Sequence, residues 1–174
     1  WRSVTVQLSD DETFATGVQT IFCSDYGNWQ GLASYAGTLD ETWKDKTNVE
    51  WIGGHTAAKG FEFNFKPIKG RYIRALAQDG GGAPYSSIYT ELQAWTCEAP
   101  ATPFVRKNAA LGKEVKAYHT DGSEAVVSNH NGGQTLACVT DGIMGAENSV
   151  ITDSVSFIQV DMGESVWINK AVLN

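Results

Sequence analysis

Helical periodicity is what this sequence most plainly lacks. No segment of its 174 residues repeats apolar side chains at a 3.6-residue period over three turns, which excludes a helix bundle. Cation is scarce as well: 13 Lys and Arg stand against 20 Asp and Glu, for a net charge of −7, and no basic cluster exceeds two residues. A polyanion needs concentrated cation, so nucleic acid is excluded as a partner. No apolar run approaches the ~18 residues of a membrane span. The three cysteines, Cys23, Cys97 and Cys138, show neither C-x-x-C nor metal-finger spacing, which argues against a zinc site. An odd count leaves one disulfide with a spare thiol, or three buried reduced thiols. No G-x-S-x-G elbow, H-E-x-x-H or P-loop occurs, so no catalytic motif is legible.

Glycine, aromatic residues and alternation are abundant instead. There are 18 Gly to four Pro, six Trp, and 42% hydrophobic to 19% charged residues, a composition for one foldable domain. Ser3-Val4-Thr5-Val6-Gln7-Leu8-Ser9 places Val4, Val6 and Leu8 on one strand face. Further β-rich runs are 18–23, 61–66, 71–76, 88–95, 155–161 and 165–173. Turn residues separate them, among them Asp25-Tyr26-Gly27-Asn28, Asp79-Gly80-Gly81-Gly82 and Asp141-Gly142. Short strands with Gly-rich turns predict an all-β fold with little helix, a β-sandwich or jelly roll. Ala99-Pro100-Ala101-Thr102-Pro103 is the one linker-like stretch. The chain opens on Trp1-Arg2-Ser3 without a signal peptide and closes in an apolar run; both ends read as cut from, or permuted within, something larger.

Six aromatic residues fall off the strand periods: Tyr26, Trp29, Tyr35, Trp43, Trp51 and Tyr85. Trp29 sits in polar surroundings, Tyr85 follows a glycine run, and Trp43 and Trp51 flank Lys44, Asp45, Lys46 and Asn48. Exposed rings of this kind stack on the C–H faces of sugars; burial is the competing reading for each ring taken alone. Trp95, Trp167 and Phe157 lie on predicted strands and are expected in the core. His119 and His130 lie in polar turns, and a Ser-His-Asp trio drawn from them has no motif behind it. Asp10-Asp11 and Asp40-Glu41 read as solvated loop charge.

Several runs together resemble the discoidin domains, the C-type domains of coagulation factors five and eight and, in bacteria, carbohydrate-binding module family 32. Val4-Thr5-Val6-Gln7-Leu8-Ser9-Asp10-Asp11 is similar to a mid-domain V-x-V-Q-x-S-x-D strand, with Thr20-Ile21-Phe22 in the place of the T-V-F strand that follows it. Gly70-Arg71-Tyr72-Ile73-Arg74 resembles the family's "ARYVR" strand, and Tyr89–Trp95 its closing "YVEIEVW". Residues 1–98 thus resemble the family's back half. Residues 108–174, beyond a linker at 99–107, resemble its front half: Asn108-Ala109-Ala110-Leu111-Gly112-Lys113, Val139-Thr140-Asp141-Gly142, Phe157–Gly163 and Ile168–Leu173 match its opening motifs in order. The halves stand in exchanged order. A half sandwich would expose unpaired edges and a bare apolar face, so one circularly permuted domain over 1–174 is preferred to two half-domains.

The resemblance implies a structural Ca²⁺ between the Asp-Gly loop and the closing strand. Asp141 and Glu91 would give carboxylates, and Thr90, Cys138 and Ile143 carbonyls. Glu147, Asn148 or Ser149 would complete the shell, where the family's usual Thr or Ser is not cleanly matched. The alternative is a turn cap at Asp141 and an edge charge at Glu91. The same alignment puts Cys97 and Cys138 near one end and makes them the preferred disulfide. It implies a non-catalytic, extracellular carbohydrate-binding module or lectin-like domain. Tyr26, Trp29, Trp43, Trp51 and Tyr85 would meet the glycan, and a cell-surface glycoprotein is a conceivable carrier of it. Lipid binding by some relatives uses apolar spikes and basic rims that this acidic chain lacks. A protein-binding adhesion module and a spacer domain of an extracellular hydrolase are the alternatives.

Overall fold

Alternation at period two leaves each strand with one apolar face, and two such faces must close on each other. The computed structural model describes residues 3–23, 49–52, 60–78, 87–97, 106–130, 135–145 and 147–174, and among them the chain is built of strands with no α-helix. In chain order they are β1 (Ser3–Ser9), β2 (Gln19–Cys23), β3 (Val49–Ile52), β4 (Phe61–Gln78), β5 (Ile88–Tyr89), β6 (Leu92–Thr96), β7 (Val115–His119), β8 (Val127–His130), β9 (Ser149–Thr152) and β10 (Ser156–Leu173). A 3₁₀ turn spans Leu136–Thr140, opened by the Thr135 side chain accepting from the Ala137 amide.

The larger sheet runs β2-β1-β4-β10-β6, with β3 on β4 and β7 on β10; the smaller runs β5-β9-β8. Every pairing is antiparallel. Val4, Val6, Leu8, Ile73, Ala75, Ala77, Ile158 and Val160 turn inward and are buried with Tyr89, Val139 and Val150. Tyr89 joins the sheets: its hydroxyl accepts from the Ala77 amide at 3.0 Å and donates to the Ser156 carbonyl at 2.5 Å. Burial pushes this phenol up to about 12. The all-β sandwich expected from the turns and alternation is therefore what the chain forms.

Three expectations change. The runs at 61–66 and 71–76 are one strand, β4, and those at 155–161 and 165–173 are one strand, β10. β10 absorbs its interruption as a bulge between Asp161 and Val166, with Gly163 at φ 90°. The run 88–95 breaks into β5 and β6 in different sheets, because the Thr90 and Glu91 amides both turn to the Asn174 carbonyl, at 2.7 and 3.0 Å. Ser3 pairs with Gln78 and Leu173 with Phe61, so these residues stand at opposite ends of β4. Trp1 lies outside the described residues, and the exchanged order of halves remains a reading of the sequence.

Candidate functional site

The chain break at Thr90-Glu91 creates the first candidate site. Asn174 closes it from the other side, its amide donating to the Glu91 carbonyl at 2.9 Å. The Glu91 side chain is buried completely. Oε2 accepts from the Gly142 amide at 3.2 Å and Oε1 from Gln93 Nε2 at 3.3 Å. Burial, helped by the negative charge of Asp141, pushes its carboxyl up to about 7. The Asp-Gly loop and the closing strand are thus adjacent.

Asp141 organises its own loop. Oδ1 accepts from the Ile143 amide and Oδ2 from Asn148 Nδ2, both at 2.8 Å. Gly142 adopts φ 84°, a conformation that L side chains resist. Thr90 and Cys138 are buried nearby in sequence, whereas Ile143 is exposed. Of the residues suggested to complete a shell, Asn148 is bonded to Asp141 through its amide nitrogen. Ser149 is turned elsewhere, accepting from or donating to His130 Nδ1 at 2.8 Å and donating to the His130 carbonyl at 3.0 Å. Among the described residues no group of three or more His, Cys, Asp and Glu side chains is placed to hold a metal. A set of two carboxylates with loop carbonyls differs from such a group, and all its donors are hard oxygens, the class that Ca²⁺ takes.

The disulfide expectation is corrected: Cys97 and Cys138 are both free thiols, half-buried and buried respectively. Burial raises both thiols above their ordinary range, Cys138 to about 11 with help from Asp141 and Glu91. The aromatic platform is largely beyond view. Tyr26, Trp29, Tyr35, Trp43 and Tyr85 lie outside the described residues. Trp51 was expected in a loop and instead lies on β3, where its backbone pairs with Asn64; tryptophan suits a pleated strand, and the charged residues before it hid this. Trp167, expected in the core, is 48% exposed, and Trp95 and Phe157 are half-buried. On β10 the inward positions next to Trp167 and Phe157 are taken by Ile168 and Ile158.

Sequence reasoning missed a second site on the outer face of the larger sheet. Arg74 points there from β4, its guanidinium lying 4.1 Å from the Phe14 ring centre and 4.2 Å from that of Phe157. Nε donates to Gln7 Oε1 at 2.8 Å. Phe14 reaches it from the 10–17 loop with φ 54°, the one non-glycine positive φ among the described residues. The polar alternation of Gln7, Arg74 and Gln159 was a signal in the sequence, but Phe157 was expected in the core and the loop that covers this face carried no motif.

His119 stands beside this face. Its ring nitrogens lie 2.9 Å from Ser123 Oγ and 2.9 Å from Asp153 Oδ1, and Ser123 Oγ donates to Asp121 Oδ1 at 2.7 Å. The constellation looks like a hydrolytic trio. However, the Ser123 amide donates to Asp121 Oδ1 and the Gly122 amide to the His119 carbonyl. Neither is left to stabilise an oxyanion beside the hydroxyl, and this network binds the 119–123 turn together. Comparison with protein-family models, with curated proteins and with solved structures finds no match to the chain.

Proposed function

We propose that this chain is a non-catalytic, extracellular glycan-binding module whose binding end is fixed by a calcium ion between Glu91 and the Asp141 loop. The observation that carries the proposal is the buried Glu91 carboxyl, which feels the negative charge of Asp141 and has two N–H donors but no cation beside it among the described residues. Burial alone drives such a carboxyl toward its neutral form, and a cation at the site would hold it ionised. The residues fit Ca²⁺ by their chemistry: Glu91 and Asp141 would hold it with carbonyl oxygens of Thr90, Cys138 and Ile143. The ion would supply charge balance and cross-link the closing strand to the loop.

Glycan as the ligand is supported by the resemblance of the strand motifs to discoidin domains and by the wealth of aromatic residues off the strand periods. A sandwich offers rigid strands that carry variable loops, which is how binding functions are commonly mounted. Stacking on loop rings gives modest affinity per site, which repetition or attachment to another domain can multiply. A glycan array probed in calcium and in EDTA tests the reading. Binding to a defined set of glycans is expected; a blank array in calcium contradicts it and favours a protein ligand or a spacer role.

A further inference from the structure

We propose a carboxylate-binding subsite on the outer face of the larger sheet, separate from the end loops, in which Arg74 receives the acid group of a uronic-acid-type sugar. The sugar part rests on the glycan reading above; the carboxylate part rests on the groove itself. The groove encloses about 500 Å³ between the 12–14 loop, β4, β7 and β10, lined by Glu12, Phe14, Arg74, Tyr118, Asp121 and Gln159 among others. That volume falls within the range of small-molecule sites and suits one or two sugar rings.

Arg74 is half-buried and has no acidic partner among the described residues. Desolvation alone bears on its charge, lowering its affinity for the proton without any compensating carboxylate. The neighbouring Arg71 shows what a satisfied arginine looks like here: both its Nε and Nη2 bond Asp161, each at 2.8 Å. With Nε of Arg74 committed to Gln7, its two terminal amino groups form the free fork, a geometry that matches a carboxylate through two parallel bonds. The guanidinium plane is clamped between Phe14 and Phe157, so little freedom is lost when an anion arrives.

The clamp is built at a cost. A phenylalanine at φ 54° is a strained conformer. It is held by Asp11, whose carbonyl accepts from the Phe14 amide at 3.0 Å and whose carboxylate ties the turn. Strain spent to cover a lone cation is better explained by a ligand than by packing, since Arg74 replaced by an apolar residue would pack at no electrostatic cost.

The lining decides the class of anion. Glu12 is paired with Lys116 at 2.9 Å, and Asp121 accepts from Ser123, so each acid already has a donor yet retains lone pairs. Together with the net charge of −7 they repel a polyanion. For a ligand with a single negative charge they offer hydroxyl acceptors in the same groove as Arg74, which Tyr118 also lines. A sugar acid presents that combination of one carboxylate, several hydroxyls and an apolar ring face.

The test is a titration of the whole chain, followed by amide NMR, with methyl glucuronide, methyl glucoside and N-acetylglutamate amide. Methyl glucuronide is expected to shift resonances of Tyr118, Gln159 and the 12–14 loop, and to bind more tightly than either other probe. Arg74→Gln should weaken it by roughly tenfold or more, as expected for a charge-assisted fork. Arg74→Lys, which keeps stem and charge but not the fork, should weaken it with the thermal midpoint near that of the wild type. Equal binding of methyl glucuronide by wild type and Arg74→Lys, or no binding at all, overturns the subsite. Equal binding of N-acetylglutamate amide overturns the sugar assignment in favour of an acidic peptide. A neutral glycan bound alike by wild type and Arg74→Gln, while methyl glucuronide does not bind or binds wild type and Arg74→Lys equally, would leave the end-loop reading standing while the groove falls.

Discussion

Two single residues show how much of this fold depends on contacts between distant segments. The Tyr89 hydroxyl serves the Ala77 amide and the Ser156 carbonyl across the sheet interface. Tyr89→Phe keeps the ring and strands both partners in a dry core, so unfolding in urea should show a loss of about 1–3 kcal/mol; an unchanged midpoint would contradict the assigned role. Asp11 was legible only as solvated loop charge. It is half-buried, and its carboxylate accepts from the amides of Thr13, Ala15 and Thr16 and from both threonine hydroxyls. Those bonds, those of Thr13 foremost, hold its carboxyl at about 2 against an ordinary 3.8. The sign follows: the carboxylate favours the folded loop fully above pH 3.8, and this contribution is lost as pH falls from 3.8 toward 2. Protection of the Thr13, Ala15 and Thr16 amides, taken relative to their intrinsic exchange rates at each pH, should fall across that window in the wild type and be low at all pH values in Asp11→Ala. Arg74 stood in a strand that the sequence made plain, but its meaning depends on Phe14 and Phe157, far away in the chain.

At the scale of elements, alternation was a good guide where one face is uniformly apolar. β1, β2 and the first half of β4 were readable for that reason. The great length of β4 and β10 was not, because Pro67, Gly70 and Gly163 look like breaks. Gly70 lies instead where Leu8 of β1 packs against β4: a Cβ there would come 2.6 Å from Leu8 Cγ. Gly70→Ala should therefore destabilise the chain by about 1–3 kcal/mol through overpacking, read as a lower thermal midpoint, and Gly70→Ala combined with Leu8→Val should recover part of the loss. β7, β8 and β9 went unseen because they are short and half-exposed, so their sequences carry little periodicity. The split between β5 and β6 arises from the far end of β10, through Asn174, and no local pattern announces it.

The whole molecule is a sandwich whose sheets meet over a core of aliphatic and aromatic side chains, and its two candidate sites were unequally legible. The pairing of Glu91 with the Asp141 loop came from family motifs; composition and spacing alone would have left Asp141 as an ordinary turn residue. The outer-face groove escaped because it is assembled from three strands and a loop that no motif connects. If a cation joins Glu91 to the Asp141 loop, it stabilises the folded state by mass action, about 2.7 kcal/mol at a hundredfold excess over its Kd. The most direct measurement is the thermal midpoint of wild type and Glu91→Gln in calcium and in EDTA. Calcium should raise the wild-type midpoint by roughly 5–10 °C for a chain of this size and leave Glu91→Gln, which lacks the buried charge, unmoved. A wild-type midpoint that is the same in calcium and EDTA would contradict the account.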